Sequence, residues 1–74
     1  MEHYDTRAAL RMMVYDSGVT QREISARLGA TPTYISTYMS KNTSPSAEKF
    51  VRFAHACGWK VQIVKDDRVV ELKP

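Results

Sequence analysis

The sequence predicts a mainly α protein in which four short helices are followed by a two-stranded antiparallel β-hairpin. Apolar residues recur three and four positions apart in four segments before residue 58, and from residue 59 onward they recur at every second position. Residues that cap helices or form turns separate the segments. With 74 residues, of which 43% are hydrophobic, the chain is long enough for one domain with a thin core.

The first helix is expected from about Tyr4 to Ser17. Leu10, Met13 and Val14 lie at positions i, i+3 and i+4 and form one apolar stripe. Gly18 follows directly and stops the helix.

The second helix is expected from about Gln21 to Leu28. Thr20 offers a hydroxyl N-cap, and Glu23, three residues later, completes a T-x-x-E capping box. Gly29 supplies the positive φ that ends the helix.

The third helix is expected from about Pro32 to Ser40. Thr31 precedes it as an N-cap, and a proline at the first helical position costs no hydrogen bond. Ile35 and Tyr38 are expected to face the core. Two short helices joined by one glycine turn, within residues 20–41, are the arrangement that places a helix in the major groove of DNA.

The fourth helix is expected to begin after Ser46, a good N-cap that follows the polar turn at residues 41–45. Gly58 ends this helix. Its apolar positions are Ala47, Phe50, Val51, Phe53, Ala54 and Cys57.

Residues 59–74 change to the alternation of β-strands. If Asp66 and Asp67 form a two-residue turn, Ile63 faces Val70 and Val61 faces Leu72, so large apolar groups share one face. An isolated hairpin is marginal in water. This one therefore either closes the protein's own core or pairs with a second copy through an edge strand, and Trp59 is expected to pack on the core in both cases.

Several function classes are disfavoured by composition. The net charge of +3 permits nucleic-acid binding without requiring it. The sequence shows neither an apolar run of about 20 residues nor a signal-peptide profile at its start, so we expect a cytoplasmic protein without membrane contact. The single cysteine, Cys57, excludes an internal disulfide and fits a reducing compartment.

No catalytic motif or ligand pocket emerges from the residue pattern, so we expect neither an enzyme nor a small-molecule ligand or cofactor. His55 and Cys57 lie two positions apart on a helix and form a poor metal pair, so no metal is expected. His55 is interpreted as a surface residue and Cys57 as a buried small hydrophobe.

The stretch from Val19 to Trp59 resembles the Cro/repressor, or lambda-repressor-like, helix-turn-helix family. The resemblance rests on short motifs in the correct order, GVTQ at residues 18–21, LG at 28–29, TPTYIS at 31–36 and FVRFAHACG at 50–58. Members of that family are sequence-specific DNA-binding regulators and usually dimers. The resemblance therefore implies a helix-turn-helix domain over residues 1–58. Residues 59–74 are interpreted as a hairpin that serves as a dimerisation element of the same domain, because its apolar face is too large to leave in water.

The resemblance also implies site residues. Bases would be read by the third helix and the residues just before it, which are Thr31, Pro32, Thr33, Tyr34, Ser36 and Thr37. For Tyr34 two interpretations stay open, a DNA contact and a half-buried residue at the edge of the core. DNA phosphates would be bound by Thr20, Gln21, Arg22, Lys41, Asn42, Thr43 and Lys49. The dimer interface would comprise Val61, Ile63, Val64, Val69, Val70 and Leu72.

This chain departs from the family pattern in ways that affect readout. Ser25 replaces an alanine and Met39 replaces a glutamate that pairs with an arginine in many members, while Lys41 replaces a glycine and leaves Asn42 as the expected left-handed residue. The third helix carries no arginine, glutamine or asparagine before Lys41, so bidentate contacts to guanine or adenine are not available from it. DNA phosphates and DNA shape are expected to supply much of the affinity.

The sequence is thus interpreted as that of a dimeric repressor of phage or mobile-element type that binds double-stranded DNA and occludes a promoter. Two alternatives stay open. One is an antitoxin-type or accessory protein whose hairpin binds a partner protein while its helices autoregulate an operon. The other is a protein-interaction domain without DNA affinity.

Overall fold

A computed structural model describes residues 2–40 and 44–74 of the protein. In these ranges the chain forms four helices and then two strands, as the sequence predicts. In chain order the elements are α1 (Thr6–Asp16), α2 (Gln21–Arg27), α3 (Tyr34–Ser40), α4 (Ala47–Ala56), β1 (Val61–Lys65) and β2 (Arg68–Leu72).

The helix α1 begins two residues later than predicted because Asp5 caps it. The Asp5 carboxylate accepts a hydrogen bond of 2.7 Å from the Ala8 N–H, and the Asp5 backbone is extended. At the other end, the C-cap is Ser17, whose hydroxyl donates to the Val14 carbonyl at 2.6 Å.

The N-cap predicted for α2 is confirmed, but only half of the capping box forms. Thr20 Oγ1 accepts the Glu23 N–H at 3.1 Å. The Glu23 carboxylate instead lies 3.6 Å from the Arg27 guanidinium, one helical turn further along. Arg27 also donates to the Ala56 carbonyl at 2.9 Å, which ties the last turn of α2 to the end of α4.

The helix α4 ends in a Schellman motif, and that motif corrects the prediction for Trp59. Gly58 has a φ of +87°, its N–H bonds the His55 carbonyl at 3.0 Å, and the Trp59 N–H bonds the Ala54 carbonyl at 2.8 Å. The Trp59 side chain stays 39% exposed and lies outside the buried core cluster, so the expected packing of this ring on the core is wrong. The backbone bonds, rather than burial of the ring, fix the path of the chain here.

The register predicted for the hairpin is confirmed. Ile63 pairs with Val70 and Val61 with Leu72, around the two-residue turn at Asp66 and Asp67. Asp66 has a φ of +52°, a left-handed conformation that aspartate tolerates better than most residues.

The core lies among the helices. Its cluster of buried residues comprises Leu10, Met13, Val14, Ile24, Ile35, Phe53, Ala54 and Cys57. The hairpin adds only the half-buried Val61, and of the two strands it is β1 that packs against α4. The helices therefore form nearly all of the core, and the hairpin contributes one half-buried side chain to it.

In the described part of the chain, all the helices are too short or too polar to cross a membrane.

Candidate nucleic-acid interface

The turn between α2 and α3 is a second Schellman motif. Gly29 has a φ of +68°, its N–H bonds the Ala26 carbonyl at 3.0 Å, and the Ala30 N–H bonds the Ser25 carbonyl at 3.0 Å. These bonds satisfy carbonyl groups at the end of α2 and set the direction in which the chain leaves it. The sequence prediction of a positive φ at Gly29 is confirmed.

Ser25 joins α2 to α3 through its side chain. Its hydroxyl donates to the Gln21 carbonyl at 2.9 Å and accepts the Ile35 N–H at 3.1 Å, and the residue has no exposed surface. The Ile35 N–H belongs to the first turn of α3, where helices leave donors without a partner in their own backbone. Ser25 therefore caps α3 from the neighbouring helix. The sequence showed only that serine would fit in place of alanine.

The beginning of α3 differs from the prediction. The helix starts at Tyr34, not Pro32, because residues 31–34 form a turn in which the Tyr34 N–H bonds the Thr31 carbonyl at 3.0 Å. Helical hydrogen bonding starts at the Thr33 carbonyl, which accepts the Thr37 N–H at 3.0 Å. The cap of this helix is thus supplied by Ser25, and Thr31 acts through its backbone carbonyl.

The residues predicted to read bases lie together at the start of α3, opposite the fully buried Ile35. Thr31, Pro32, Thr33 and Thr37 are exposed, and Tyr34 and Ser36 are half-buried. The Ser36 and Thr37 hydroxyls both donate to the Thr33 carbonyl, at 2.8 and 3.0 Å. With their protons directed inward, these two hydroxyls present lone pairs and, for Thr37, a methyl group to the outside.

Three aromatic rings pack α3 on α4. Tyr34, Tyr38 and Phe53 meet edge to face with ring centroids 5.2–5.7 Å apart. Burial raises the pKa of the Tyr34 phenol above 10.0, hydrogen bonding to Tyr38 acts in the same direction, and Lys49 and Arg52 oppose the shift. Tyr38 packs against the core as predicted, and Tyr34 is half-buried with a neutral hydroxyl at neutral pH.

Arg11 contacts the backbone at Met39, the position where the family's glutamate, and with it an ion pair to arginine, is absent from this chain. Its guanidinium donates to the Met39 carbonyl at 3.3 Å, in the last turn of α3. A cation near the C-terminal carbonyl groups of a helix interacts favourably with the helix dipole. The sequence pattern identified the change at Met39, but it did not predict the hydrogen bond from Arg11 to the Met39 carbonyl.

The structure describes four of the seven residues that are predicted to bind phosphate. Thr20, Arg22 and Lys49 are exposed and Gln21 is half-buried. The Lys49 ammonium lies 3.4 Å from the Tyr38 hydroxyl, which holds it beside α3. Lys41, Asn42 and Thr43 lie outside the described residues.

The structure places both His55 and Cys57 at least partly inside the protein. His55 is half-buried, with its Nε2 atom enclosed and without a hydrogen-bond partner among the described residues, so its interpretation as a surface residue is wrong. Cys57 is buried as predicted, and this burial raises the pKa of its thiol above 9.0 against a smaller opposite effect of Arg27. Across residues 2–40 and 44–74, no three metal-ligating side chains cluster.

The hairpin leaves much of its apolar surface in water. Val64 is 66% exposed, Ile63 57%, Val69 55% and Val70 38%. Val61 and Leu72, nearest the helices, are half-buried. Exposed β-branched residues on a two-stranded sheet with two free edges are characteristic of a surface that binds another chain.

Comparison with protein families identifies the fold family. The model of the family described as helix-turn-helix domain matches residues 7–62, which include α1 from its second residue, all of α2, α3 and α4, and the first two residues of β1. No curated protein and no solved structure gives a significant match to this chain.

Proposed function

The chain belongs to the helix-turn-helix domain family, and on that basis we propose that it is a transcriptional regulator that binds double-stranded DNA by inserting α3 into the major groove. The observation that carries this proposal is the geometry of α3. One side of the helix is anchored by Ile35 and by the Ser25 hydroxyl. Thr37 is exposed on the helix, and Thr31 and Thr33 are exposed in the turn just before it.

Base readout is assigned to Thr31, Pro32, Thr33, Tyr34, Ser36 and Thr37. Because the Ser36 and Thr37 hydroxyls donate inward, they act toward DNA as acceptors, which suits the amino groups of cytosine and adenine. The Thr37 methyl group suits the methyl group of thymine. We expect each contact to discriminate less than a bidentate arginine or glutamine contact does.

Phosphate binding is assigned to Thr20, Gln21, Arg22 and Lys49, together with Lys41, Asn42 and Thr43. Of the described members, Arg22 and Lys49 carry the charge. Contacts of this kind set the orientation of the protein on the duplex and give binding its salt dependence.

The regulator acts as a dimeric repressor in this proposal. The interface is assigned to the hairpin residues Val61, Ile63, Val64, Val69, Val70 and Leu72. A second copy would bury the apolar side chains among them that are exposed in the single chain. Two copies of α3 would then enter successive major grooves about 34 Å apart and occlude a promoter. This arrangement suits a protein of a phage or mobile element that works in the cytoplasm without a small-molecule ligand.

A second candidate rests on the same exposed hairpin. A β-strand of a partner protein could pair with its free edge, as in an antitoxin-type or accessory protein that also autoregulates its operon. Co-purification of a specific partner that covers Ile63 and Val64, with the free protein monomeric, would favour this candidate over the homodimer.

DNA binding is tested by selecting duplexes from a randomised pool and titrating the selected sequence, and a scrambled one, by fluorescence anisotropy between 50 and 300 mM KCl. We expect the affinity to fall steeply with salt, because phosphate contacts release counterions. Absence of binding to either duplex at the lowest salt concentration would overturn the proposal.

Two variants separate readout from phosphate binding. The double change Thr33→Ala and Thr37→Ala is expected to weaken binding to the selected duplex by roughly tenfold and to leave the scrambled duplex nearly unaffected. Lys49→Ala is expected to weaken both alike and to reduce the salt slope by about one. Lys65→Ala, on the exposed end of β1, is the matched control for loss of a lysine.

A further inference from the structure

The outer edge of β2 offers a specific set of backbone groups to a second chain. A two-residue turn makes Lys65 and Arg68 a hydrogen-bonded pair, and such pairs alternate with non-hydrogen-bonded pairs along an antiparallel ladder. Val69 and Glu71 therefore belong to non-hydrogen-bonded pairs. Their N–H and C=O groups point away from β1 and are free to pair with another strand.

We propose that two copies of the protein join through their β2 strands, antiparallel and centred on Val70, to form a continuous four-stranded sheet. This inference rests on the proposed dimer and specifies its strand and register. A twofold axis perpendicular to the sheet makes Val70 face Val70 of the other copy. Val69 then exchanges both backbone hydrogen bonds with Glu71 across the axis, and this exchange occurs twice.

Charge selects this register over its neighbours. Centred on Val70, the pairing brings Lys73 of each copy, just past the end of β2, beside the turn residue Asp67 of the other. A shift of the centre to Glu71 would place the two Glu71 carboxylates face to face, and a shift to Val69 would place Asp67 opposite Glu71. Like charges directly opposite each other destabilise a sheet, and opposite charges stabilise it.

The choice of β2 over β1 follows from packing. The strand β1 packs against α4, whereas β2 contacts that helix less. Pairing through β2 also places Val70 of one copy beside Val70 of the other and extends the apolar face that begins with Val61 and Ile63. Of the residues assigned to the interface, Val64 lies on the opposite edge, and this register leaves it outside the strand pairing.

Cysteine cross-linking tests the register in a Cys57→Ala background. Residues facing each other in a non-hydrogen-bonded pair have Cα atoms about 4.5 Å apart, within the range of a disulfide. Val70→Cys is thus expected to form a disulfide-linked dimer under mild oxidation. The reaction should be much faster than that of Gln62→Cys, an exposed position on β1 outside the assigned interface that reports random collision. Circular dichroism confirms that each variant is folded, and sedimentation of the wild-type protein gives the oligomeric state independently.

Each outcome decides between the hypotheses. Rapid cross-linking of Val70→Cys alone supports the pairing. Rapid cross-linking of Ile63→Cys without that of Val70→Cys would show pairing through β1 and overturn it. A wild-type dimer in which neither cysteine cross-links faster than Gln62→Cys would overturn the register but not the proposed dimer. A wild-type protein that is monomeric at micromolar concentrations would overturn both.

A charge exchange gives a second test in the native-cysteine protein. Asp67→Lys places a lysine opposite Lys73 of the other copy, and is expected to raise the dimer dissociation constant roughly 2- to 30-fold at low salt. The double change Asp67→Lys and Lys73→Asp restores opposite charges and is expected to recover most of that loss. An equal loss in the double variant would overturn the Lys73–Asp67 pairing.

Discussion

Ser25 determines where α3 begins, although no part of it reaches the surface. Its hydroxyl bonds the Gln21 carbonyl within α2 and the Ile35 N–H within α3, so one oxygen atom connects both helices. An aliphatic residue of similar size would fill the volume and leave the amide without an acceptor. The position is thus a polar link inside an otherwise apolar core.

We expect Ser25→Ala to lower the free energy of unfolding by about 1–3 kcal/mol, because it leaves a buried N–H unpaired. Urea denaturation measures the loss, and amide hydrogen exchange is expected to become faster at Ile35 than at Ile24. Ser40→Ala, at an exposed site on α3, is the control and should change stability by less than about 0.5 kcal/mol. Unchanged exchange at Ile35 would contradict the cap assigned to Ser25.

Cys57 gives the stability a pH dependence of known sign. Burial raises the pKa of its thiol above 9.0, so the folded state keeps a proton that the unfolded state loses. The stabilisation is fully present below the unfolded pKa and is lost as the pH rises through the folded pKa. Melting temperatures measured from pH 7 to 10.5 are therefore expected to fall above about pH 9.

Cys57→Ala isolates this effect from other groups that titrate in alkali. The difference in melting temperature between the wild-type protein and the variant should be constant near pH 7 and shrink above pH 9. A difference that does not vary with pH would show that the thiol titrates alike in both states.

At the scale of elements, Gly29 directs the chain from α2 into α3. A Cβ placed on Gly29 would contact no atom within 4 Å, so a substitution there tests the backbone conformation alone. We expect Gly29→Ala to destabilise the protein by about 1–2 kcal/mol because of its φ of +68°.

Gly29→Asn is the matched comparison, because asparagine enters the left-handed region at lower cost. Thermal unfolding of both variants should therefore place Gly29→Asn between the wild-type protein and Gly29→Ala. Equal losses for the two variants would indicate that the side chain, rather than φ, causes the effect.

The helices and strands also show which features of the fold can be predicted from the sequence and which cannot. The order of the helices, the caps at Thr20 and Ser46 and the register of the hairpin follow from residue type and spacing, because each depends on neighbours in the chain. The start of α3 depends on Ser25, ten residues earlier, and periodicity does not encode such a contact. The error at Trp59 has a different origin, since apolarity predicted burial while the local bonds at the end of α4 set the direction of the chain.

The candidate site was predicted less completely than the fold. Spacing identified the exposed threonines in α3 and in the turn before it, whose location follows from the inward position of Ile35. The contacts that hold the helix in place, Arg11 on the Met39 carbonyl and Lys49 on Tyr38, join residues 28 and 11 positions apart. They require the tertiary structure, and sequence alone gave only the residue types available for them.

At the scale of the whole molecule, the core that stabilises the fold and the proposed dimer contacts reside in different parts of the chain. The helices enclose the core, whereas the hairpin adds only Val61 to it and leaves Val70 and its neighbours exposed. A change on the hairpin can therefore alter assembly without unfolding the protein.

We expect Val70→Lys to keep the helical circular dichroism of the wild-type protein and to sediment as a monomer, because the two facing lysines would repel each other across the axis. If two weak half-sites are bound together, separating the copies removes the gain from bivalent binding, and affinity for the selected duplex should fall by roughly 100-fold or more. Gln62→Lys, which adds the same charge to β1 at an exposed residue outside the assigned interface, should remain a dimer and bind like the wild-type protein. A Val70→Lys monomer that binds the selected duplex with full affinity would show that a single α3 is sufficient for recognition.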